Sequence, residues 1–493
     1  MLFNSFEFAL FLPAVFLLYW FVFNRSLRAQ NLFVVGVSYL FYGWWNWRFL
    51  LLIAFTSLCS YASGLLIDHH RKRRGGETWS RAVSAGNILL NLAILGIFKY
   101  YDFFVASFAE LFGIADYDNL LLQIILPVGI SFYTFQALSY SIDVYRGKLA
   151  PTRDIVAFFA FISFFPQLVA GPIERAANLL PQFLRPRTFD TAQAVDGLRQ
   201  ALWGFFKKIV VADNCAILAN GIFDNYENLS GGALVIGAVA FSFQIYCDFS
   251  GYSDIAIGIA RLFGFSLMRN FNYPYFSRDI AEFWRRWHIS MTGWFRDYVY
   301  FSLGGSRCAP WRHYLNIVIV FLCSGLWHGA DWRYLAWGLA CGLCAAFGAM
   351  TAKARKKLEK FNPLYRQAWL KAVCQVTITD LLFCVTLVFF AAALYNADPF
   401  AIYSSMLQGW NGLAGSWHQV QQMLLDCGID GRLPVVLLFG TFVVLAVEHG
   451  GRSVTRWIRE QVWPLRWTLY YAAAAAILFF AAFGQSAFIY QQY

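Results

Sequence analysis

Charge is what this 493-residue chain has least of: Asp, Glu, Lys and Arg together make up 14% of it, where soluble domains carry about a quarter. With 59% hydrophobic residues, that shortage excludes a soluble globular domain and predicts an integral membrane protein. A disulfide framework is also missing. The ten cysteines are scattered, and Cys59, Cys323, Cys374 and Cys384 sit inside apolar runs. Cys341 and Cys344 form a CxxC with no second pair at zinc spacing, so they read as small buried hydrophobes and no metal site is expected. The chain has no P-loop, no GxSxG elbow and no HExxH, which removes the common nucleotide, serine-hydrolase and zinc-peptidase chemistries. No basic region precedes the first apolar stretch, 7–23, and no small-residue cleavage site follows it, so it is expected to be a retained helix. Soluble domains, internal repeats and low-complexity tracts are absent.

What is present is aromatic and apolar. Phe, Tyr and Trp reach 19%, which suits a lipid-facing girdle with interfacial rings. Runs of spanning length recur at 7–23, 31–47, 49–66, 87–110, 120–142, 155–172, 231–247, 314–327 joined to 331–350, 373–396, 433–448 and 466–484. The intervening 173–230 and 248–312 are mixed, and predict amphipathic, tilted or re-entrant pieces buried in protein or lining a wet cavity. The net charge of +11 comes from basic loops and calls for membrane lipid rather than nucleic acid as the partner. HHRKRRGGETWSR (69–81), AKARKKLEK (352–360) and GRSVTRWIREQVWPLR (451–466) are expected on the cytoplasmic side. The loops 112–119 and 397–432 are poor in basic residues and should face outward. Alternation then puts both termini outside.

Three clusters put polar groups where lipid-soluble sequence surrounds them, a position that is costly and usually functional. The first, FQIYCDFSGYSDIAIGIARLFGF (243–265), offers Gln244, Asp248, Ser253 and Asp254. Six residues apart on a helix, the two acids point to different faces and do not form one acid–base dyad. Pairing with arginines such as Arg261 is one reading, and a direct cavity role is the other. The second, AEFWRRWHIS (281–290), gathers Glu282, Trp284, Arg285, Arg286, Trp287 and His288. As a helix it pairs Glu282 with Arg286 at i,i+4 and turns His288 to the tryptophan side. An interfacial helix with a solvated charged face explains the charges but not that histidine. MTGWFRDYVYFSLGGSR (291–307) continues it with Arg296 and Asp297. The third, CSGLWHGADW (323–332), sets Trp327 and His328 between Gly325 and Gly329. His328 is either a packing residue or a catalyst, and the glycines can equally be a helix-packing device. The remaining histidines (69, 70, 313, 418 and 449) lie in or beside loops. The residues alone thus reach a polytopic protein with an internal polar site, without fixing a reaction.

Together with LPVGISFYTFQALSYSIDVYRG (126–147) and FFPQLVAGPIER (164–175), the motifs QIYCDFSGYSDIAIG, NFNYPYFSRDIAEFWRRWHISMTGWFRDYVYFSLGG and GLWHGADWRYLAWG resemble those of membrane-bound O-acyltransferases, in the branch of the bacterial alginate O-acetylases. The resemblance covers essentially the whole chain, 1–493, as one membrane-embedded domain with its core motifs at 126–350 and its last helices and outer tail at 373–493. It implies an all-α fold, a ring of roughly 11–13 helices, many of spanning length, around a funnel. It also implies that His328 and His288 are the family's two site histidines. The activity it implies is transfer of an acetyl group from a cytoplasmic thioester, acetyl-CoA, outward across a bacterial inner membrane onto an exported polysaccharide. A periplasmic hydrolase-like (SGNH) acetyltransferase is the expected partner, and no permanently bound cofactor is expected.

On that resemblance a neutral imidazole takes the proton of an attacking hydroxyl and returns it to the leaving thiolate. Arg285, Arg286 and Arg296 are candidates to hold the donor's phosphates, and Trp284 and Trp287 are further donor-binding candidates beside them. His288 is open between base, substrate orienter and structural contact. In the C-terminal SAFIYQQY (486–493), the resemblance makes Tyr490 a candidate acyl relay. A secondary transporter and a non-catalytic subunit of a polysaccharide export complex are the competing expectations.

Overall fold

The computed structural model describes residues 1–481 apart from 74, 115, 170, 362–364, 366, 430, 431 and 452. Tyr490 and the rest of the C-terminal tail lie outside the described residues. The described chain is helical throughout, with no strand among the described residues. Six of its helices are long and apolar enough to cross a membrane: Phe6–Arg25, Arg48–Arg71, Glu77–Phe112, Gly231–Leu262, Trp332–Leu358 and Ala368–Leu394. The protein is therefore an all-α, multi-pass membrane protein.

Several expected spans are shorter or broken, each for a local reason. The 120–142 stretch is helical only over Ile130–Tyr145. Pro127 lacks a backbone N–H, and Gly129 takes a left-handed conformation at φ 76°, so helix begins only after them. The 155–172 stretch stops at Ser163, where Phe164 swings to ψ 108° and a four-residue turn with Pro166 near its start follows. The 314–327 and 331–350 runs form two helices, Pro310–His328 and Trp332–Leu358, separated at Gly329, Ala330 and Asp331. These two pack backbone to backbone. A Cβ on Gly325 would strike the Tyr334 carbonyl and come within 3.1 Å of the Gly338 Cα. The glycines thus serve close helix approach.

The chain forms two compact units, 1–201 with 253–268, and 202–252 with 269–493. In the first, buried Ser and Asn side chains join helices where lipid-like interiors provide no water. Ser60 donates to Asn87 (3.3 Å) and Ser80 to the Ile67 carbonyl (3.1 Å) across two helices, while Asn91 donates back to the Asn87 carbonyl within its own helix (2.9 Å). The motif at 164–175 contributes Glu174, a fully buried carboxylate. It accepts from Asn178 at 2.6 Å and from the Met268 backbone N–H, tying the 171–175 loop to the segment after the Gly231–Leu262 helix. Asp254 also belongs to this unit, and it accepts from Gln200 at 2.8 Å.

The second unit holds an ion triad in its interior. Lys208 lies 2.6 Å from Asp248 and 2.8 Å from Asp213. Beside it Lys207 donates to Ser250 (2.9 Å), and Tyr246 donates to Glu448 (2.7 Å). The two acids of the first cluster, Asp248 and Asp254, fall in different units. Asp248 pairs with Lys208, and Asp254 accepts from Gln200. Lysine reaches Asp248 because 206–212 is a π-helix, whose wider turn sets Lys207 and Lys208 inward together.

Candidate active site

The second unit brings His288 and His328 to one indole ring. Trp327 stands edge-on to both, 4.9 Å from His328 and 6.0 Å from His288 between ring centroids, at 83° and 90°. Both histidines are buried, His288 completely and His328 to within 3%.

His288 does not continue a helix. The helix of the second cluster runs from Ile280 to Arg286, capped by Asp279, which accepts from the Glu282 N–H at 2.8 Å. Trp287 then turns to ψ 130°, and His288 takes a left-handed conformation at φ 42°, ψ 53° before Ile289–Phe295 begins. For a residue with a β-carbon this conformation costs on the order of 1–3 kcal/mol and persists only where its surroundings impose it. Asn270 imposes it here. Its carbonyl accepts from the Ile289 N–H (2.8 Å) and its side-chain oxygen accepts from the Ser290 hydroxyl (2.9 Å). Asn272 N–H donates to the Arg286 carbonyl on the other side of the break (2.9 Å). The His288 Nδ1 accepts from the Met291 N–H at 3.3 Å, so the imidazole caps the next helix. Phe249, from the residue between Asp248 and Ser250, lies 4.5 Å from the ring.

His328 ends its helix, and a clamp holds the turn that follows. Asp331 caps the Trp332–Leu358 helix by accepting from the Arg333 N–H at 2.7 Å. The same carboxylate takes the Arg333 guanidinium in a two-pronged pair, 2.9 and 2.6 Å. Arg333 also donates to the carbonyls of Ala392 (3.1 Å) and Ala397 (3.2 Å). This fixes the end of the Ala368–Leu394 helix, whose Phe390 contacts the His328 ring at 5.4 Å. Trp337 stands perpendicular to His328 at 4.9 Å. A Cβ on Gly329 would run into the Tyr334 ring, so this glycine admits a side chain of the protein itself.

The other expected site residues are dispersed. Trp284 and Trp287 are buried and pack against Phe383, at 6.3 and 4.9 Å. Arg285 is exposed, with no carboxylate partner among the described residues. Arg286 is held by Glu282 at 2.5 Å, the i,i+4 pair the sequence predicts, and Arg296 by Asp297 at 2.9 Å. Gln244 and Asp248 are buried in the second unit, whereas Ser253 and Asp254 belong to the first. Among the described residues, no three His, Cys, Asp or Glu side chains are grouped to hold a metal ion. Sequence reasoning missed Asn270, Arg333, Trp337, Phe390 and Lys208. Only the Asp331–Arg333 pair left a local trace, an acid two residues before an arginine at a helix start.

The membrane-bound O-acyltransferase (MBOAT) family model matches residues 150–373, which include both histidines. The chain is 42% identical to the probable alginate O-acetylase AlgI of Pseudomonas aeruginosa over 341 residues, 68% of this chain and 64% of that protein. It thus spans somewhat under two thirds of that relative's length. Against the probable alginate O-acetylase AlgI of Pseudomonas putida it is 38% identical over 392 residues, 79% of this chain and 78% of that one. Against the peptidoglycan O-acetyltransferase of Helicobacter pylori it is 34% identical, covering 75% and 74%. With relatives of 34–38% identity matched over about three quarters of their length, and the family model covering the region of both histidines, the chain belongs to the membrane-bound O-acyltransferase family.

Proposed function

We propose that this protein is an O-acetyltransferase that takes an acetyl group from a cytoplasmic thioester, acetyl-CoA, and passes it across the inner membrane for O-acetylation of an exported polysaccharide. The observation that carries the reading is the pair of buried imidazoles on one indole ring, in a family whose relatives are O-acetylases of alginate and peptidoglycan. A periplasmic SGNH-type acetyltransferase is the proposed partner that delivers the group to the polymer, and both chain termini are proposed to face that side.

The two histidines are proposed to differ in role. A neutral imidazole carries one proton, on one nitrogen. Because His288 Nδ1 accepts a hydrogen bond from Met291, its proton belongs on Nε2, and the ring is a donor rather than a base. His288 therefore orients substrate. His328 is the general base: it takes the proton of the attacking hydroxyl as the C–O bond forms and returns it to the sulfur as the C–S bond breaks. Tyr490 remains the proposed intermediate acceptor, since a phenol ester leaves more readily than an alkyl ester. The Phe480 carbonyl, at the end of the Trp463–Phe480 helix, accepts from Asn214, the residue after Asp213, at 2.8 Å.

His328→Ala is expected to lower acetyl transfer by about 10²–10⁴-fold, with expression and membrane insertion unchanged. Activity within a few fold of wild type would leave a non-catalytic assembly role. Uptake or export of an intact solute, without consumption of acetyl-CoA by the purified protein, would favour a transporter.

A further inference from the structure

We propose that the indole N–H groups of Trp337 and Trp284 form the donor pair that holds the carbonyl oxygen of the acyl donor and stabilises the oxyanion made when that carbonyl is attacked. This rests on the reading of His328 as the general base. Both rings are buried, Trp337 to 3% and Trp284 to 7%. The Nε1 atom of each is inaccessible and has no acceptor among the described residues. A buried indole N–H ordinarily finds an acceptor, because leaving it unmade sacrifices its hydration for nothing. What sets these two apart is that they are neighbours, 6.3 Å apart between ring centroids. Trp337 stands 4.9 Å from the His328 ring. The rings around them are aromatic hydrocarbon: Phe321 lies 5.0 Å from Trp284, Phe383 6.3 Å from Trp284, and Phe390 5.1 Å from Trp337. Such walls supply no oxygen to either donor. Phenylalanine would fill the same wall without carrying an N–H that must be satisfied. A donor kept dry beside a base, with a second donor on the neighbouring ring, is what a reaction with a developing negative oxygen needs.

The step balances without any further reactant. The acceptor hydroxyl oxygen bonds to the thioester carbon while its proton moves to the His328 imidazole. The carbonyl π pair moves onto the carbonyl oxygen, where the two indole N–H groups meet it. The pair then returns, the C–S bond breaks, and the thiolate takes the proton from the imidazolium. Thioester and alcohol become ester and thiol.

The test uses the full-length protein in detergent or nanodiscs, with acetyl-CoA carrying a ¹³C carbonyl as the probe. Trp337 and Trp284 are replaced singly by Phe. In parallel each is replaced by benzothienylalanine, which keeps the shape of the indole and exchanges only the N–H for sulfur. Each isosteric variant is expected to lose about 10²–10³-fold in kcat with donor affinity within about threefold of wild type. The infrared band of the bound carbonyl is expected to move to higher frequency as the hydrogen bond is lost. His328→Ala is expected to be inactive yet to keep the wild-type band, which separates failure of the base from failure of the donors. An isosteric variant with wild-type kcat and an unmoved band would reduce the two tryptophans to packing and overturn the inference, whatever His328→Ala does.

Discussion

Lys208→Met removes the ammonium that lies 2.6 Å from Asp248 and 2.8 Å from Asp213. The three residues are 4%, 2% and 4% exposed, so solvent cannot take over from the lost cation. Methionine nearly matches the lysine stem in length, which makes charge, rather than a cavity, the main change. Taking one partner out of a buried ion pair costs about 3–5 kcal/mol, because the remaining charge stays desolvated. For units of 150–250 residues about 2–4 °C of melting temperature goes with each kcal/mol; the expected fall is therefore on the order of 10 °C. Asp213→Asn acts in the opposite sense on the same triad. It leaves one cation facing one carboxylate, keeps an oxygen for the lysine to bond, and is expected to change stability by no more than about 1 kcal/mol. Thermal unfolding in detergent, followed by tryptophan fluorescence at a fixed scan rate, measures both. Activity should follow, since Phe249 lies between Asp248 and Ser250 in sequence and touches His288 at 4.5 Å. A loosened helix face there misplaces the imidazole, and a shift near 1 Å can cost about 10²-fold in rate. Melting of Lys208→Met within about 2 °C of wild type would refute the view that the triad needs its cation.

Two further outcomes are expected. Arg285 is exposed and free of a carboxylate among the described residues, whereas Arg286 and Arg296 are already held by Glu282 and Asp297; Arg285→Gln should weaken acetyl-CoA binding about tenfold, roughly one charge-assisted hydrogen bond, and Arg286→Gln distinctly less, by calorimetry. Burial pushes the Glu174 carboxyl up to about 7 from an ordinary 4.5, so its folded pKa lies above its unfolded one. Its contribution to stability is then fully present below about pH 4.5 and is lost as pH rises through about 7. Melting temperature should fall across that window, and Glu174→Gln should flatten the fall; an equally steep profile in the variant would clear Glu174 of the effect.

Helix existence was legible in the sequence wherever apolar length was uninterrupted. Arg48–Arg71 and Gly231–Leu262 each contain an expected span, and Ala368–Leu394 covers 373–396 up to its last two residues. Composition could not show where a helix stops short. Pro127 with Gly129 delays a helix start, and the turn at Phe164 ends a helix, inside runs that remain apolar on both sides of the break. The family and both histidines were legible because the motifs are long. The shape of AEFWRRWHIS was not: its spacing reads as one helix, and the break at Trp287 and His288 is imposed by Asn270, 18 residues earlier, through bonds to Ile289 and Ser290. Asp248 presents the same difficulty. Its separation from Asp254 shows that the two acids diverge, but only the π-helix at 206–212 reveals that lysine is the partner.

The two histidines owe their positions to separate devices, and this bears on how the site works. His288 is fixed from below by Asn270, with a backbone conformation that few residues adopt willingly. His328 is fixed from above by the turn that Arg333 and Asp331 lock onto the end of the Ala368–Leu394 helix. Neither device uses the other's residues, yet both deliver an imidazole to the same indole, that of Trp327. A packing role would not require this. A histidine needed only to fill space could be an aromatic hydrocarbon, which avoids both the backbone strain at His288 and the desolvation of two imidazoles. Strain and buried polarity that recur at one ring, from two independent supports, are the observations on which the proposed reaction centre rests. The supports also explain why the site can be rigid within a membrane. The bonds of Asn270 and Arg333 are directional and buried or half-buried, so they hold their geometry where surrounding lipid contributes only non-directional packing.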